Sequence, residues 1–233
     1  MAGAARFDHL AFAASDLAAG VSWLELATGA TLPKGGVHPA MGTHNHVAAI
    51  GRDSYVEVIA IDPDAVAPER PRWFGLDQPE VRAALAQGPR LHTWVAAVPD
   101  LDAALRAAAA IGIDYGQGVA MTRGALNWRF AMTDDGAMPL SGAAPQLIEW
   151  PAGPHVAAGM HDLGLRLGGL RIETPAAALL GRLLAVLGLD DDRLDLVQTD
   201  EPDPATRLSA ELITGEGRSI TLGHAAPTVT EPV

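Results

Sequence analysis

Three stretches of the chain share one pattern of apolar and polar positions. They cover residues 7–29 (FDHLAFAASDLAAGVSWLELATG), 92–112 (HTWVAAVPDLDAALRAAAAIG) and, more weakly, 167–188 (LGGLRIETPAAALLGRLLAVLG). Each begins with a short apolar run of strand length, continues with apolar positions at helical spacing and stops at a glycine. A pattern that recurs within one chain predicts a repeated structural unit, here a strand followed by a helix.

Polar residues mark the point where each strand gives way to its helix. Their side-chain oxygens can cap a first helical turn, and they are Ser15 or Asp16, Asp100 and Thr174. Strand-like segments follow each helix, at 45–50 and 55–61, at 128–133 and 146–150, and at 208–214 and 219–222. The sequence therefore predicts an α+β protein with units at 5–63, 90–151 and 165–224, and a connector at 64–89.

The composition narrows the range of functions. Of the 233 residues, 48% are hydrophobic and 19% are charged, which is typical of a globular protein, and the net charge of −12 argues against nucleic-acid binding. The absence of cysteine removes disulfides, thiolate nucleophiles and thiolate-bound metals, so the eight histidines are the main nitrogen ligands. No segment has the pattern of a signal peptide or a membrane span, so we expect a soluble cytoplasmic protein without a membrane partner.

Six short motifs resemble the vicinal oxygen chelate superfamily, which includes glyoxalase I, methylmalonyl-CoA epimerase, extradiol dioxygenases and drug-resistance proteins. They are Asp8-His9-Leu10, 35–39 (GGVHP), 42–45 (GTHN), 55–57 (YVE), 99–101 (PDL) and 147–150 (LIEW). The closer resemblance is to the branch called the glyoxalase-like domain, over about residues 5–223. It implies paired βαβββ units that form a half-open curled sheet or barrel, followed here by a third, reduced βαββ unit.

The resemblance also implies a divalent metal inside the barrel, held by the first and last strands of two units. The matching positions are His9, Glu57 and Glu149. His9 precedes Asp16 by seven residues, and the same count back from Asp100 falls on Thr93 rather than His92. Because side chains alternate along a strand, Thr93 then faces the cavity, unless a bulge turns His92 inward. The metal set is therefore His9, Glu57, Glu149 and His92, or one that lacks His92.

Buried carboxylates support a polar site independently of the resemblance. Glu57 lies in the apolar strand 55–61, where its charge must be paired, ligated or neutralised unless the side chain turns outward to solvent. Glu149 poses the same alternatives in 147–150. With histidine, two carboxylates suit Zn, Ni, Mn or Fe. Glu57 and Glu149 are thus the predicted catalytic groups, which move a proton while the metal stabilises the substrate oxygen.

Further positions, Thr93 among them, are predicted to contact a substrate. The segment 35–46 (GGVHPAMGTHNH) is either a plain hairpin loop or a cavity rim that presents His38, His44 and Asn45. In a regular strand His44 and His46 share one face and Asn45 takes the other. Arg129, and Arg123 near it, either anchor a substrate carboxylate or cover apolar surface with their stems.

The prediction for function is a metal-dependent lyase or isomerase that acts on a small oxygenated molecule by proton transfer. The alternatives are a metal-free protein that binds and sequesters an aromatic or drug-like molecule, and an extradiol-type dioxygenase. No segment has the glycine spacing of a nucleotide site, so no nucleotide or flavin cofactor is expected. The third unit has Gly168, Gly169 and Thr221 near the ligand positions, so we expect it to cover an edge or to form a homodimer contact.

Overall fold

The computed structural model describes residues 4–200, 206–223 and 227–230, so position 224, the last of the third predicted unit, lies outside the described residues. The helices are α1 (Leu17–Thr28), α2 (Pro79–Leu85), α3 (Leu101–Ala110) and α4 (Ala177–Leu187). The strands are β1 (Arg6–Ala13), β2 (Lys34–His38), β3 (Thr43–Ala49), β4 (Tyr55–Ile61), β5 (Arg90–Ala97), β6 (Gln117–Arg123), β7 (Leu126–Met132), β8 (Gln146–Glu149), β9 (Arg166–Thr174), β10 (Leu194–Gln198), β11 (Arg207–Ile213), β12 (Ser219–Leu222) and β13 (Thr228–Thr230).

The first eight strands form one curled sheet in the order β2-β3-β4-β1-β5-β8-β7-β6. In each half the first strand pairs in parallel with the last, and the two first strands, β1 and β5, meet antiparallel at the centre. The free edges β2 and β6 approach each other, since Arg123 Nη1 lies 3.1 Å from His38 Nε2. The sheet is thus a nearly closed barrel of two βαβββ units, which confirms the predicted fold class.

Aspartate caps start the first two helices as the sequence predicts. Asp16 accepts a hydrogen bond from the Ala19 N–H at 2.8 Å, and Asp100 accepts one from the Ala103 N–H at 2.9 Å. The third cap is a correction. Helix α4 begins after Ala176 without a side-chain cap, because Thr174 is the last residue of β9 and its hydroxyl accepts from the Ala176 N–H before the helix starts.

The last part of the chain forms a second sheet, in the order β10-β9-β11-β12-β13. Strands β10 and β13 were not predicted. Both strands are short, at five and three residues; none of the residues of β10 is fully buried and the three residues of β13 are all exposed, so neither segment forms a distinct apolar run in the sequence. This sheet packs its helix α4 against α3, and its Gly223 carbonyl accepts from the Leu91 N–H of β5.

One apolar core is continuous between the two sheets. It contains Leu10 and Trp94 from the barrel, Leu101 from α3, and Leu170 and Leu183 from the second sheet and its helix, all of them fully buried. The third unit therefore covers the outer face of the barrel strands. No helix within the described ranges is long and apolar enough to span a membrane.

A chain that ends at Gly159 tests the role of this shared core. The truncation removes α4 and the whole second sheet, which exposes apolar side chains of β1, β5 and α3 to water. We expect aggregated protein by size-exclusion chromatography, whereas a chain ending at 226, which loses β13 among the elements, stays monodisperse. A monodisperse, cooperatively folded 1–159 fragment would contradict the shared core.

Candidate functional site

The inner face of the barrel encloses a cavity of about 290 Å³. Its floor is polar, its walls are largely aromatic, and two cations, Lys34 and Arg123, lie at the edges where the sheet nearly closes. A short 3-10 helix, Val156–Gly159, lies over one side in the linker before the third unit. The floor residues are His9, Asn45, Tyr55 and Glu57, and the aromatic wall residues are Trp73, Phe74, Trp128, Phe130 and Trp150.

An irregularity in β1 brings two consecutive polar residues together. Phe7 lies opposite Ala96 on β5 and His9 lies opposite Val95, so Asp8 between them has no partner on β5. Regular alternation would turn Asp8 and His9 to opposite faces, and the bulge relaxes that constraint. The Asp8 carboxylate consequently contacts His9 Nδ1 at 2.6 Å.

Three nitrogen donors surround the fully buried Asp8 carboxylate. Besides His9, they are His155 Nε2 at 2.8 Å and Trp150 Nε1 at 2.9 Å. Burial by itself raises the pKa of Asp8, but the hydrogen bonds and charges of His155 and His9 lower it to about 2. His155 accepts at Nδ1 from the Ala157 N–H, and its Nε2 donates to Asp8. Asp8 is therefore an ionised carboxylate at neutral pH.

His9 lies between two carboxylates. Its Nδ1 faces Asp8, its Nε2 is 3.6 Å from Glu57 Oε2, and Tyr55 stacks on the ring at 4.3 Å between centroids. Burial lowers the pKa of His9, but the hydrogen bond to Asp8 and the charges of Asp8 and Glu57 outweigh it and raise that pKa to about 9. His9 is thus an imidazolium at neutral pH.

Glu57 is held by an amide that also contacts the barrel edge. Asn45 donates from Nδ2 to Glu57 Oε1 at 2.6 Å, and its Oδ1 accepts from the Gly36 N–H and from Arg123 Nη1. Burial raises the pKa of Glu57, yet His9 and Asn45 lower it below its usual value, so the carboxylate is ionised. A Cβ on Gly35 would lie 2.2 Å from Asn45 Oδ1, so this close approach requires glycine.

His38 is a neutral member of the same wall. Burial and the nearby charges of Arg123 and His44 lower its pKa to about 4, although the charge of Glu57 opposes this. Arg123 donates to its Nε2 at 3.1 Å, and its Nδ1 lies 3.1 Å from the Thr43 hydroxyl. The structure therefore places His38 and Asn45 with Glu57 and His9 at the cavity.

Three other predicted residues lie outside this cavity. Glu149 alternates outward between the cavity-lining Ile148 and Trp150, where it accepts from the Leu101 N–H and from Arg129 Nη1 at 3.0 Å. Arg129 also pairs with Asp102, so its charge is used on the outer face. His44 takes the opposite face of β3 from Asn45 and lies with His46 in a groove beside α1.

The two alternatives on β5 also fall away from the cavity. Ala11 lies opposite Thr93 and Phe12 opposite Leu91, so His92 is in the bulge that the sequence allowed. Yet His92 Nε2 lies 2.7 Å from the Phe74 carbonyl oxygen rather than near Glu57. Thr93 is fully buried, and its hydroxyl donates to the Trp94 carbonyl. Neither residue lines the cavity.

The repeat explains why the second unit lacks a carboxylate here. Ala11 and Val95 each precede a capping aspartate by five residues, and they lie opposite Glu57 and Gln146 respectively. Gln146 is therefore the counterpart of Glu57. It lies three positions before Glu149, so the two side chains point to opposite faces of the strand. It is 4% exposed and its Nε2 has no hydrogen-bond partner among the described residues. Sequence reasoning missed it because 146–150 is too short to fix the register.

The predicted metal ligands do not fit a metal ion as a set. Only His9 and Glu57 lie together, and the described part of the chain contains no group of three His, Asp or Glu side chains placed to share an ion. Asp8 and His155 were missed as site residues. Asp8 gave the signal of a buried carboxylate next to His9, and His155 lies in a linker without periodicity.

Comparisons with known proteins agree with this fold. A family model described as glyoxalase-like domain matches residues 7–188. A search of curated proteins finds no match. Among solved structures, a hypothetical protein from Staphylococcus aureus is 15% identical with a TM-score of 0.52, over 90% of this chain and 81% of that one.

Two further solved structures are enzymes. A mutant of 4-hydroxymandelate synthase from Streptomyces coelicolor is 13% identical with a TM-score of 0.51, over 93% of this chain and 61% of that one. Methylmalonyl-CoA epimerase from Mycobacterium tuberculosis is 20% identical with a TM-score of 0.40, over 62% of this chain and 87% of that one. At these identities the likeness concerns the fold alone.

Replacing Asp8 by Asn tests the charge on His9. Loss of the carboxylate lowers the pKa of His9 and leaves a buried charge poorly paired, which costs about 3–5 kcal/mol of unfolding free energy. Nitrogen NMR of the histidine rings and denaturant unfolding measure the two effects. Asp102→Asn, which loses an exposed ion pair, is the control and should change stability little. A His9 pKa that stays near 9 in Asp8→Asn contradicts the assignment.

The wild-type protein should lose stability at both ends of the pH range. The pKa of His9 is raised from 6.5, so its contribution is complete below pH 6.5 and disappears as the pH rises to about 9. The pKa of Asp8 is lowered from 3.8, so its contribution is complete above pH 3.8 and disappears as the pH falls to about 2. Unfolding free energies between pH 2 and 10 should therefore decline in both windows, and a flat curve above pH 6.5 would exclude a charged His9.

Metal binding gives a separate test. Untagged wild type and His9→Ala should retain equally little Zn, Ni, Mn or Fe after dialysis against each ion, because the predicted ligands lie apart. Stoichiometric metal in the wild type that disappears in His9→Ala would show that the ligands reassemble around an ion.

Proposed function

This chain belongs to the glyoxalase-like domain family of the vicinal oxygen chelate superfamily, and from that premise we propose that it is a lyase or isomerase acting by proton transfer. Its substrate is a small oxygenated molecule bound in the barrel cavity. The predicted metal set does not assemble, so the proposal assigns the chemistry to protein side chains.

The row formed by Asp8, His9 and Glu57 carries this proposal. Glu57 Oε2 and His9 Nε2 both face the cavity and are 3.6 Å apart, which is longer than a hydrogen bond and leaves each free to contact a substrate. One is an ionised carboxylate and the other an imidazolium, so a base and an acid lie side by side. Such a pair is suited to a carbon acid whose proton lies next to a carbonyl group.

Each side chain has a defined part in the reaction. Glu57 takes the proton from the carbon, and His9 donates its Nε2 proton to the carbonyl oxygen as negative charge develops there. Asp8 keeps His9 oriented and charged, as the buried carboxylate does in a catalytic triad. Asn45 fixes the second oxygen of Glu57. Return of a proton to the carbon completes an isomerisation, whereas loss of a neighbouring leaving group completes an elimination.

A metal-free binding protein is the second candidate. The aromatic walls favour it, because stacked rings retain a flat molecule without any chemistry. An extradiol dioxygenase needs a second histidine at the iron. The geometry gives that alternative no support, since His92 is bound to the Phe74 carbonyl.

Deuterium exchange distinguishes catalysis from binding. The protein is incubated in D2O with a panel of small 2-oxo and 2-hydroxy compounds, and loss of the carbon-bound proton is followed by NMR. We expect exchange with at least one compound and a reduction of about 10²–10⁴-fold in Glu57→Gln. Glu149→Gln, which removes the other predicted carboxylate, should leave the rate unchanged. Tight binding without exchange would favour the binding protein.

A further inference from the structure

We propose that the ligand of this cavity is a flat monoanion, a carboxylate attached to a planar ring system, with the carboxylate at Arg123 and the ring between the aromatic walls. The inference rests on the proposed function only in using the same cavity. It adds the charge, the shape and the orientation of the molecule that enters.

Arg123 carries a positive charge that no carboxylate neutralises. Its Nη1 donates to His38 Nε2 and to Asn45 Oδ1, both neutral acceptors. Across the described ranges no Asp or Glu oxygen lies within ion-pair distance of it, in contrast to Arg129, which pairs with Asp102 and Glu149. Arg123 is only half-buried, and the remaining donors of its fork suit a carboxylate at the cavity edge.

The charged side chains that line the cavity leave room for one anionic group. Lys34 and Arg123 lie at its edges, and Glu57 is the one carboxylate among the lining residues. Glu57 already has partners, since Oε1 accepts from Asn45 and Oε2 faces His9. The guanidinium of Arg123 is therefore available for the carboxylate of a monoanion.

The aromatic side chains of the cavity walls favour a planar ligand. Trp128 and Trp150 lie 5.7 Å apart between ring centroids on one side, and Trp73, Phe74 and Phe130 form a second cluster with centroids 5.6–5.7 Å apart. Their faces and edges offer stacking and edge contacts to a planar ligand. A cavity of about 290 Å³ is at the lower end of the range for small-molecule sites, so a body of one or two rings suits it.

Asn45 determines how the ligand is oriented in the cavity. Its amide alone separates Arg123 from Glu57, because Oδ1 accepts from the guanidinium and Nδ2 donates to the carboxylate. A carboxylate at Arg123 thus places the neighbouring carbons of the ligand near Glu57 Oε2 and His9 Nε2. The reacting C–H is therefore close to the carboxylate and not at the far end of the ring.

Calorimetric titration with three matched probes tests the proposal. The probes are 1-naphthylacetate, its uncharged amide, and cyclohexylacetate, which keeps the charge without a flat ring. We expect naphthylacetate to bind at least about tenfold more tightly than either of the others. Loss of one charge-assisted hydrogen bond accounts for the weaker binding of the amide, and loss of ring stacking accounts for that of cyclohexylacetate. Equal affinity for the amide, equal affinity for cyclohexylacetate, or no binding of naphthylacetate overturns the proposal.

Variants locate the carboxylate. Arg123→Gln should weaken naphthylacetate binding about tenfold or more and leave the amide unchanged, so any general loss of structure shows in the amide arm. Arg171→Gln removes the same charge from the second sheet and should have no effect. Unchanged naphthylacetate affinity in Arg123→Gln contradicts the assignment. Because binding is measured without turnover, charge and shape selectivity without deuterium exchange leaves this inference standing while the proposed catalysis fails.

Discussion

The burial of one carboxylate, Asp8, organises the cavity. A charge that is removed from water needs several donors, and Asp8 obtains them from three separate parts of the chain. His9 is its neighbour on β1, Trp150 follows the last strand of the second unit, and His155 belongs to the linker toward the third. The same set of hydrogen bonds thus joins the two halves of the barrel, fixes the segment that lies over the cavity and keeps His9 charged.

The fold could be read from the sequence because it depends on repetition. The Asp-Leu junctions at Asp16 and Asp100, the apolar runs before them and the glycine stops describe the same unit twice, and the structure has that unit twice. Strands β10 and β13 were not predicted because few of their side chains are buried. Their stability comes from pairing with neighbouring strands, which a single sequence does not display.

The site was harder to derive, because a shift of one residue reverses the direction of every side chain in a strand. Glu57 and Asn45 lie in strands long enough for alternation to place them correctly. Glu149 lies in a strand of four residues, and there the inward positions belong to Gln146 and Ile148. Two bulges, at Asp8 and at His92, break the alternation. The first brings Asp8 and His9 together at the cavity, whereas the second turns His92 toward the Phe74 carbonyl. A single sequence contains no signal that separates these outcomes.

The two copies of the duplicated unit contribute different residues to the cavity. At the positions that correspond to the ligands of the first unit, the second unit has Thr93 and Gln146. Every ionised group on the cavity floor comes from the first copy, whereas Trp128, Phe130 and the edge arginine come from the second. Substitutions in the second copy can therefore alter which molecule is admitted while the proton-handling groups stay intact. Each copy of the unit thus supplies a different part of the cavity: the first provides the charged floor, and the second provides the wall that faces it.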